Sequence, residues 1–89
     1  MINTHLVICF GLKIKQLRDK KNWSQEKLSY ATGFHRTYIG MIERGERNIS
    51  LINIAVFAKV FEISVSEILD FSSIDSKLTY QDYQTKSEE

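Results

Sequence analysis

Residues 25 to 44 read Gln25-Glu-Lys-Leu-Ser-Tyr-Ala-Thr-Gly33-Phe-His-Arg-Thr-Tyr-Ile-Gly-Met-Ile-Glu-Arg44, and this stretch decides the fold. A short helix opens at Ser24, whose hydroxyl can accept an otherwise unpaired backbone N–H. Trp23 before that cap and Leu28 four positions after it have the spacing of a hydrophobic staple. The capping box is incomplete, because the third helical position is Lys27 rather than Glu, so Glu26 near the positive helix end supplies the remaining support. Gly33 ends this helix. After the corner Gly33-Phe34-His35 a second helix runs from Arg36 to Arg44 and is closed by Gly45, with Phe34 and Ile39 as a second staple. Leu28, Phe34, Ile39 and Ile42 would lock the angle between the two, and Gly33 supplies a backbone conformation that a side chain would oppose. Two short helices joined by so tight a corner read as a helix-turn-helix.

At about 100° per residue, Arg36, Gly40, Arg44, Thr37 and Met41 share an arc of about 140°, while Ile39 and Ile42 point the other way. One face is for burial and the other is free. Arginine can bond guanine through two parallel N–H groups, and a threonine methyl or a thioether can touch a thymine methyl, so the free face suits the major groove of DNA. Gly40 adds to this. A mid-helix glycine costs about 1 kcal/mol relative to alanine, and on that face it points to a close backbone approach, with simple relief of packing as the alternative. Arg36, Thr37, Gly40 and Met41 are therefore the base-reading candidates. Tyr38, at the edge of the arc, either flanks the DNA backbone or packs on the preceding helix.

Working outward, Leu6, Val7, Phe10, Ile14 and Leu17 lie on one helical stripe, with Thr4 as a candidate cap and Asn22 as a left-handed stop. Ile8 and Leu12 fall off that stripe, where they could line a second contact. Beyond the motif, Ser50 caps a helix from Leu51 to Phe61 whose residues Leu51, Ile54, Phe57, Ala58 and Phe61 face the core. The opposite side of that helix carries Ile52, Val56 and Val60, where polar residues would be normal. With Ile63 and Val65 these form a candidate dimer interface, for which the C-terminal residues Leu78, Tyr80 and Tyr83 are the alternative cover. Ser64 or Ser66 caps a short fifth helix containing Val65, Ile68 and Leu69. Residues 72–89 are polar and read as a tail or a marginal helix.

Composition sets the outer bounds. A chain of 89 residues accommodates one domain, and the absence of proline with only four glycines favours helices over a turn-rich sandwich. The net charge of +1 conceals an asymmetry: residues 1–61 hold ten Lys/Arg against four Asp/Glu, and residues 62–89 hold two against seven. A basic part suited to a polyanion thus precedes an acidic end. Cys9 alone cannot form an internal disulfide, and His5 and His35 have no partners that read as metal ligands, so neither catalytic residues nor a cofactor are expected. No apolar run approaches a membrane span and no leader is evident, which leads to the expectation of a soluble cytoplasmic protein.

The span Phe10 to Leu69, through Ile14, Leu17-Arg18, Ser24-Gln25-Glu26, Leu28, Gly33, Ile39 and Ile42-Glu43-Arg44-Gly45, resembles the lambda-repressor-like DNA-binding domains. More narrowly, His35-Arg36-Thr37-Tyr38-Ile39 with Ile42-Glu43-Arg44-Gly45 and Arg47-Asn48 is similar to the controller proteins of bacterial restriction-modification systems. The resemblance implies an all-α, five-helix domain over residues 1–71, for DNA binding and dimerisation, followed by an acidic C-terminal extension over 72–89. It implies that Arg36 and Thr37 read bases, that Tyr38 and Arg47 flank the site, and that Gln25, Arg44 and Asn48 hold phosphates. Arg18 and Glu43 would join the first and third helices as a structural pair. Such proteins are dimers on repeated half-sites of double-stranded DNA upstream of their own and the endonuclease gene, activating at low occupancy and repressing at high occupancy. Phage-type repressors and antitoxins that act through protein contacts share the scaffold and stand as the alternative. Ser29 in place of the usual alanine, His35 in place of a Ser or Asp cap, and the C-terminal extension depart from the pattern. The extension leaves open a further contact with DNA, RNA polymerase or the partner subunit.

Overall fold

The structure, a computed structural model, describes residues 4–74. Among them five helices follow one another: α1 (Thr4–Lys20), α2 (Gln25–Thr32), α3 (Arg36–Glu43), α4 (Leu51–Phe61) and α5 (Val65–Ile68). None of these residues forms a strand.

Local chemistry sets most boundaries. Ser24 accepts the Lys27 N–H at 3.0 Å and Ser50 accepts that of Asn53 at 3.1 Å, which opens α2 and α4. Ser64, rather than Ser66, caps α5 through a complete box with Glu67. His35 serves as a cap despite its ring, because Nδ1 accepts the Thr37 N–H at 3.0 Å. At the C-terminal ends the chain turns left-handed at Asn22 (φ 57°), Glu62 (φ 59°) and Gly45 (φ 73°). In each case the next N–H returns to a carbonyl in the last turn, as Trp23 does to Arg18 at 3.1 Å and Glu46 to Met41 at 2.9 Å. Thr4 is the first residue of α1 rather than a cap outside it.

Phe57 of α4 occupies the middle of the core. Its ring meets Phe10 of α1 edge-on, with centroids 6.1 Å apart, and Phe34 of the α2–α3 corner at 5.3 Å. Ile14, Leu28, Ile39, Ile42 and Ile68 complete the fully buried set, so every helix contributes. Trp23 stacks on Phe61 at 6.0 Å, tying the α1–α2 corner to the end of α4. After α5, Phe71 is buried, Lys13 donates to the Asp70 carbonyl at 3.0 Å, and Ile74 packs on the core. The first turn of the expected tail is thus part of the packed body. Leu78, Tyr80, Tyr83 and the rest of that tail, residues 75–89, lie outside the described residues.

Two apolar assignments change. Leu51, expected in the core stripe, is 71% exposed, because it sits at the edge of the stripe on the first turn of α4, beyond the reach of the other helices. Conversely Cys9, absent from the α1 stripe, is buried. On the other edge of the stripe, at Gly11, α1 passes so close to α3 that an added Cβ would lie against the Ile42 carbonyl oxygen and within 2.9 Å of that of Glu43. One turn earlier, Ile8 packs so tightly over Gly45 that a Cβ there would come within 2.8 Å of its side chain.

Gly11→Ala should therefore destabilise the domain by about 3 kcal/mol or more, outweighing the ~1 kcal/mol that alanine gains in helix propensity. Thermal melting followed by circular dichroism reads this directly. An unchanged Tm would show that α1 and α3 do not approach so closely.

Candidate nucleic-acid interface

The buried side of α3 is carried by Ile39 and Ile42, at 0% and 1% exposure, which leaves the opposite side to the surface. Arg36 and Thr37 in its first turn are exposed, and Met41 is half-buried. Gly40 differs from expectation: it is buried, not open to an approaching surface. The Arg44 guanidinium folds back over it, with Nη1 3.0 Å from where a Cβ on Gly40 would be, and Gln25 Oε1 adds to the cover at 3.8 Å. Arg44 is meanwhile held by Glu46, with Nε to Oε2 at 3.0 Å and Nη2 to Oε1 at 3.2 Å. These bonds raise the Arg44 pKa above its ordinary value and lower that of Glu46.

Beneath this face is a buried carboxylate. Glu43, with its side chain 4% exposed, accepts from Arg18 Nε at 2.7 Å and Nη2 at 3.1 Å, and from Gln25 Nε2 at 3.0 Å. Arg18 also donates to the Trp23 carbonyl at 2.7 Å. The hydrogen bonds to Glu43 hold the Arg18 pKa above its ordinary value, against the opposing effect of burial. One carboxylate thus joins α1, the start of α2 and the end of α3. Gln25, singled out by resemblance as a phosphate holder, has its amide N–H committed to this network. Ser29, at the helix crossing, donates its hydroxyl to the Phe34 carbonyl and so bridges α2 to the corner.

Tyr38 follows neither sequence alternative in a simple way. Its ring packs edge-on against Phe34 at 5.2 Å, and its hydroxyl accepts from Asn53 Nδ2 of α4 at 3.0 Å. The Arg47 guanidinium stacks 5.3 Å above the same ring, so Tyr38 orients a cation beside the helix. Asn48 follows, exposed. The basic side of α3 therefore continues into the loop before α4. Asn53 had no signal in the spacing because its contact with Tyr38 depends on how α3 and α4 come together, whereas Glu46 reaches Arg44 from two residues along the chain through the turn at Gly45.

The candidate dimer residues lie along α4 and beyond. Ile52 is 76% exposed and Val65 36% exposed, whereas Val56 is half-buried and Val60 and Ile63 partly pack against the chain's own core. On α1, Cys9 Sγ lies 3.9 Å from His5 Nε2, one helical turn away, a contact not anticipated from sequence. Among the described residues no group of three or more His, Cys, Asp or Glu could hold a metal ion, and no helix is long and apolar enough to cross a membrane.

This arrangement of two capped helices crossing at a glycine corner matches, over residues 14–68, a sequence-family model described as helix-turn-helix. Control protein C.BamHI of Bacillus amyloliquefaciens is 43% identical over 74 residues, covering 82% of this chain and 91% of that protein. The crystal structure of the restriction-modification controller protein C.AhdI from Aeromonas hydrophila superposes with a TM-score of 0.67 at 40% identity, covering 70% of this chain and 94% of that one. That of the controller protein C.Esp1396I gives 0.65 at 34% identity, covering 72% and 87%. The chain belongs to the helix-turn-helix family of DNA-binding transcription regulators. Within that class it is of the restriction-modification controller type.

Arg18→Ala would leave the Glu43 carboxylate buried and short of two donors, at a cost of roughly 3 to 5 kcal/mol. In a domain of this size that lowers Tm by more than about 10 °C. A melting temperature within a degree or two of the parent would show that the pair does not clamp the recognition helix.

Proposed function

We propose that this chain is a dimeric controller that inserts α3 into the major groove of approximately palindromic half-sites, upstream of its own gene and of a restriction endonuclease gene. The observation that carries the reading is the division of α3: Ile39 and Ile42 are buried while Arg36 and Thr37 stand in solvent, flanked by exposed Arg44, Arg47 and Asn48. Arg36 is the bidentate base reader, supported by Thr37 and Met41, and the flanking residues contact phosphate and set register. Gly40 enters only as backbone, and only once Arg44 moves off it. A two-fold dimer sets the recognition helices about 34 to 36 Å apart, one turn of DNA.

Tyr38 supports the interface indirectly by holding Arg47. Activation at low occupancy brings RNA polymerase in as a further partner, and regulation takes place in the cytoplasm. This reading involves binding alone, with no catalytic step, cofactor or metal.

Binding to an operator selected from a random duplex library tests the reading. Arg36→Ala should cost about 1 to 3 kcal/mol on that operator and relax one position, whereas Asn48→Ala should weaken operator and random DNA alike. Affinity should fall with salt at a log-log slope of about −0.9 per phosphate contacted. Equal losses on both DNAs for Arg36→Ala would remove its base-reading role, and salt-independent association would favour a protein partner instead.

Exposed Ile52 with half-buried Val56 and Val60 supports α4 as the dimer face. Val56→Glu should convert a sedimenting dimer to monomer with the helical signal retained. A dimer that persists would move the interface elsewhere.

A further inference from the structure

The Arg44–Glu46 pair has a geometry that simple surface pairing does not require. Gly45 turns the backbone left-handed after α3, and the Glu46 N–H is pinned to the Met41 carbonyl at 2.9 Å. The helix stop therefore fixes the point on the backbone from which the Glu46 side chain reaches back toward Arg44. Its carboxylate takes the Nε and Nη2 edge of Arg44, at 3.0 and 3.2 Å, and the guanidinium is drawn down onto Gly40. Glycine leaves that seat unobstructed, whereas a Cβ would meet Nη1 at 3.0 Å and push the guanidinium outward by a few tenths of an ångström. The middle of the recognition face is thus roofed by its own cation, and the charge of that cation is matched by a carboxylate on the same chain.

We propose that Glu46 is an intramolecular stand-in for a DNA phosphate: it latches Arg44 over Gly40 in the free protein, and DNA binding exchanges the carboxylate for a phosphate oxygen. The inference rests on the reading that the free face of α3 meets DNA. Glu46 is a positioning residue in this scheme, acting through Arg44 rather than touching a base. Both side chains are about half exposed, at 58% and 50%, so the exchange requires no unfolding and its cost is that of an exposed ion pair. The latch lowers affinity for every sequence alike and so keeps non-specific binding weak, while base contacts made by Arg36 are untouched.

The test uses a fluorescein-labelled duplex of about 24 base pairs and arbitrary sequence, because phosphate exchange does not depend on sequence. Glu46→Gln should bind it about three- to fivefold more tightly than the parent chain, with Tm unchanged within a degree or two. Glu26→Gln, which removes an exposed carboxylate from the neighbouring α2, should gain less than about twofold and measures the general effect of charge. In an Arg44→Met background the gain from Glu46→Gln should fall to that same background level. The Arg44 Nε–H resonance in the free protein should shift on Glu46→Gln and, in the parent chain, on addition of duplex. A Glu46→Gln gain no larger than that of Glu26→Gln, a loss of affinity, or a gain that survives in Arg44→Met would overturn the latch. Failure of the parent chain to bind any duplex would instead overturn the DNA-binding reading, and the latch with it.

Discussion

A single buried carboxylate governs the arrangement of the first three helices. Glu43 has been taken out of water at the end of α3, and an unpaired charge there would be intolerable. It is made tolerable by three N–H donors from two other segments, Arg18 of α1 and Gln25 at the start of α2. The same arginine reaches the Trp23 carbonyl, so the α1–α2 corner is held by the group that holds α3. Among the described residues no buried side-chain polar atom lacks a partner, which makes the network a complete one rather than a source of strain. Because its members come from different segments, the angle of α3 to the rest of the domain cannot drift without exposing or orphaning a charge.

Steric constraint works in the same direction. α1 lies against the end of α3 at Gly11, and Ile8 lies against the turn at Gly45, contacts so short that neither position has room for a methyl group. The last turn of α3 is therefore gripped from behind by α1 and by the Glu43 network. The outer side is left to polar side chains. This gives a physical account of how a domain with eight residues in its recognition helix can present that helix at a defined angle. The side chains on that outer side are not uniformly idle in the free protein: Arg44 is engaged with Glu46, Arg47 rests on Tyr38, and Arg36 and Thr37 project into solvent.

Much of this was legible before any coordinates. The caps at Ser24 and Ser50, the stops at Asn22, Gly33 and Gly45, and the division of α3 into an apolar and a polar side all follow from residue type and helical period. The Arg18 and Glu43 pair was legible only through resemblance, since nothing in spacing joins residues 25 positions apart. His35 as a working cap was the reverse case, where the usual residue preference pointed away from a ring nitrogen that does accept the N–H. Gly11 could have been noticed by the argument applied to Gly40, a glycine inside a helix, but not what it faces.

The sequence by itself determined that α2 opens at Ser24 and α4 at Ser50, that helices stop at Asn22, Gly33 and Gly45, and which residues of α3 share a side, because those properties depend on hydrogen bonds and rotations within a few residues of chain. Only the tertiary structure decided that Gln25 serves Glu43, that Leu51 is left outside the core, and that Gly40 lies under Arg44 rather than in the open. The first two outcomes depend on distances between segments brought together by packing, and the third on the side-chain conformation of Arg44 one turn further along, which Glu46 holds; the helical period is silent about both.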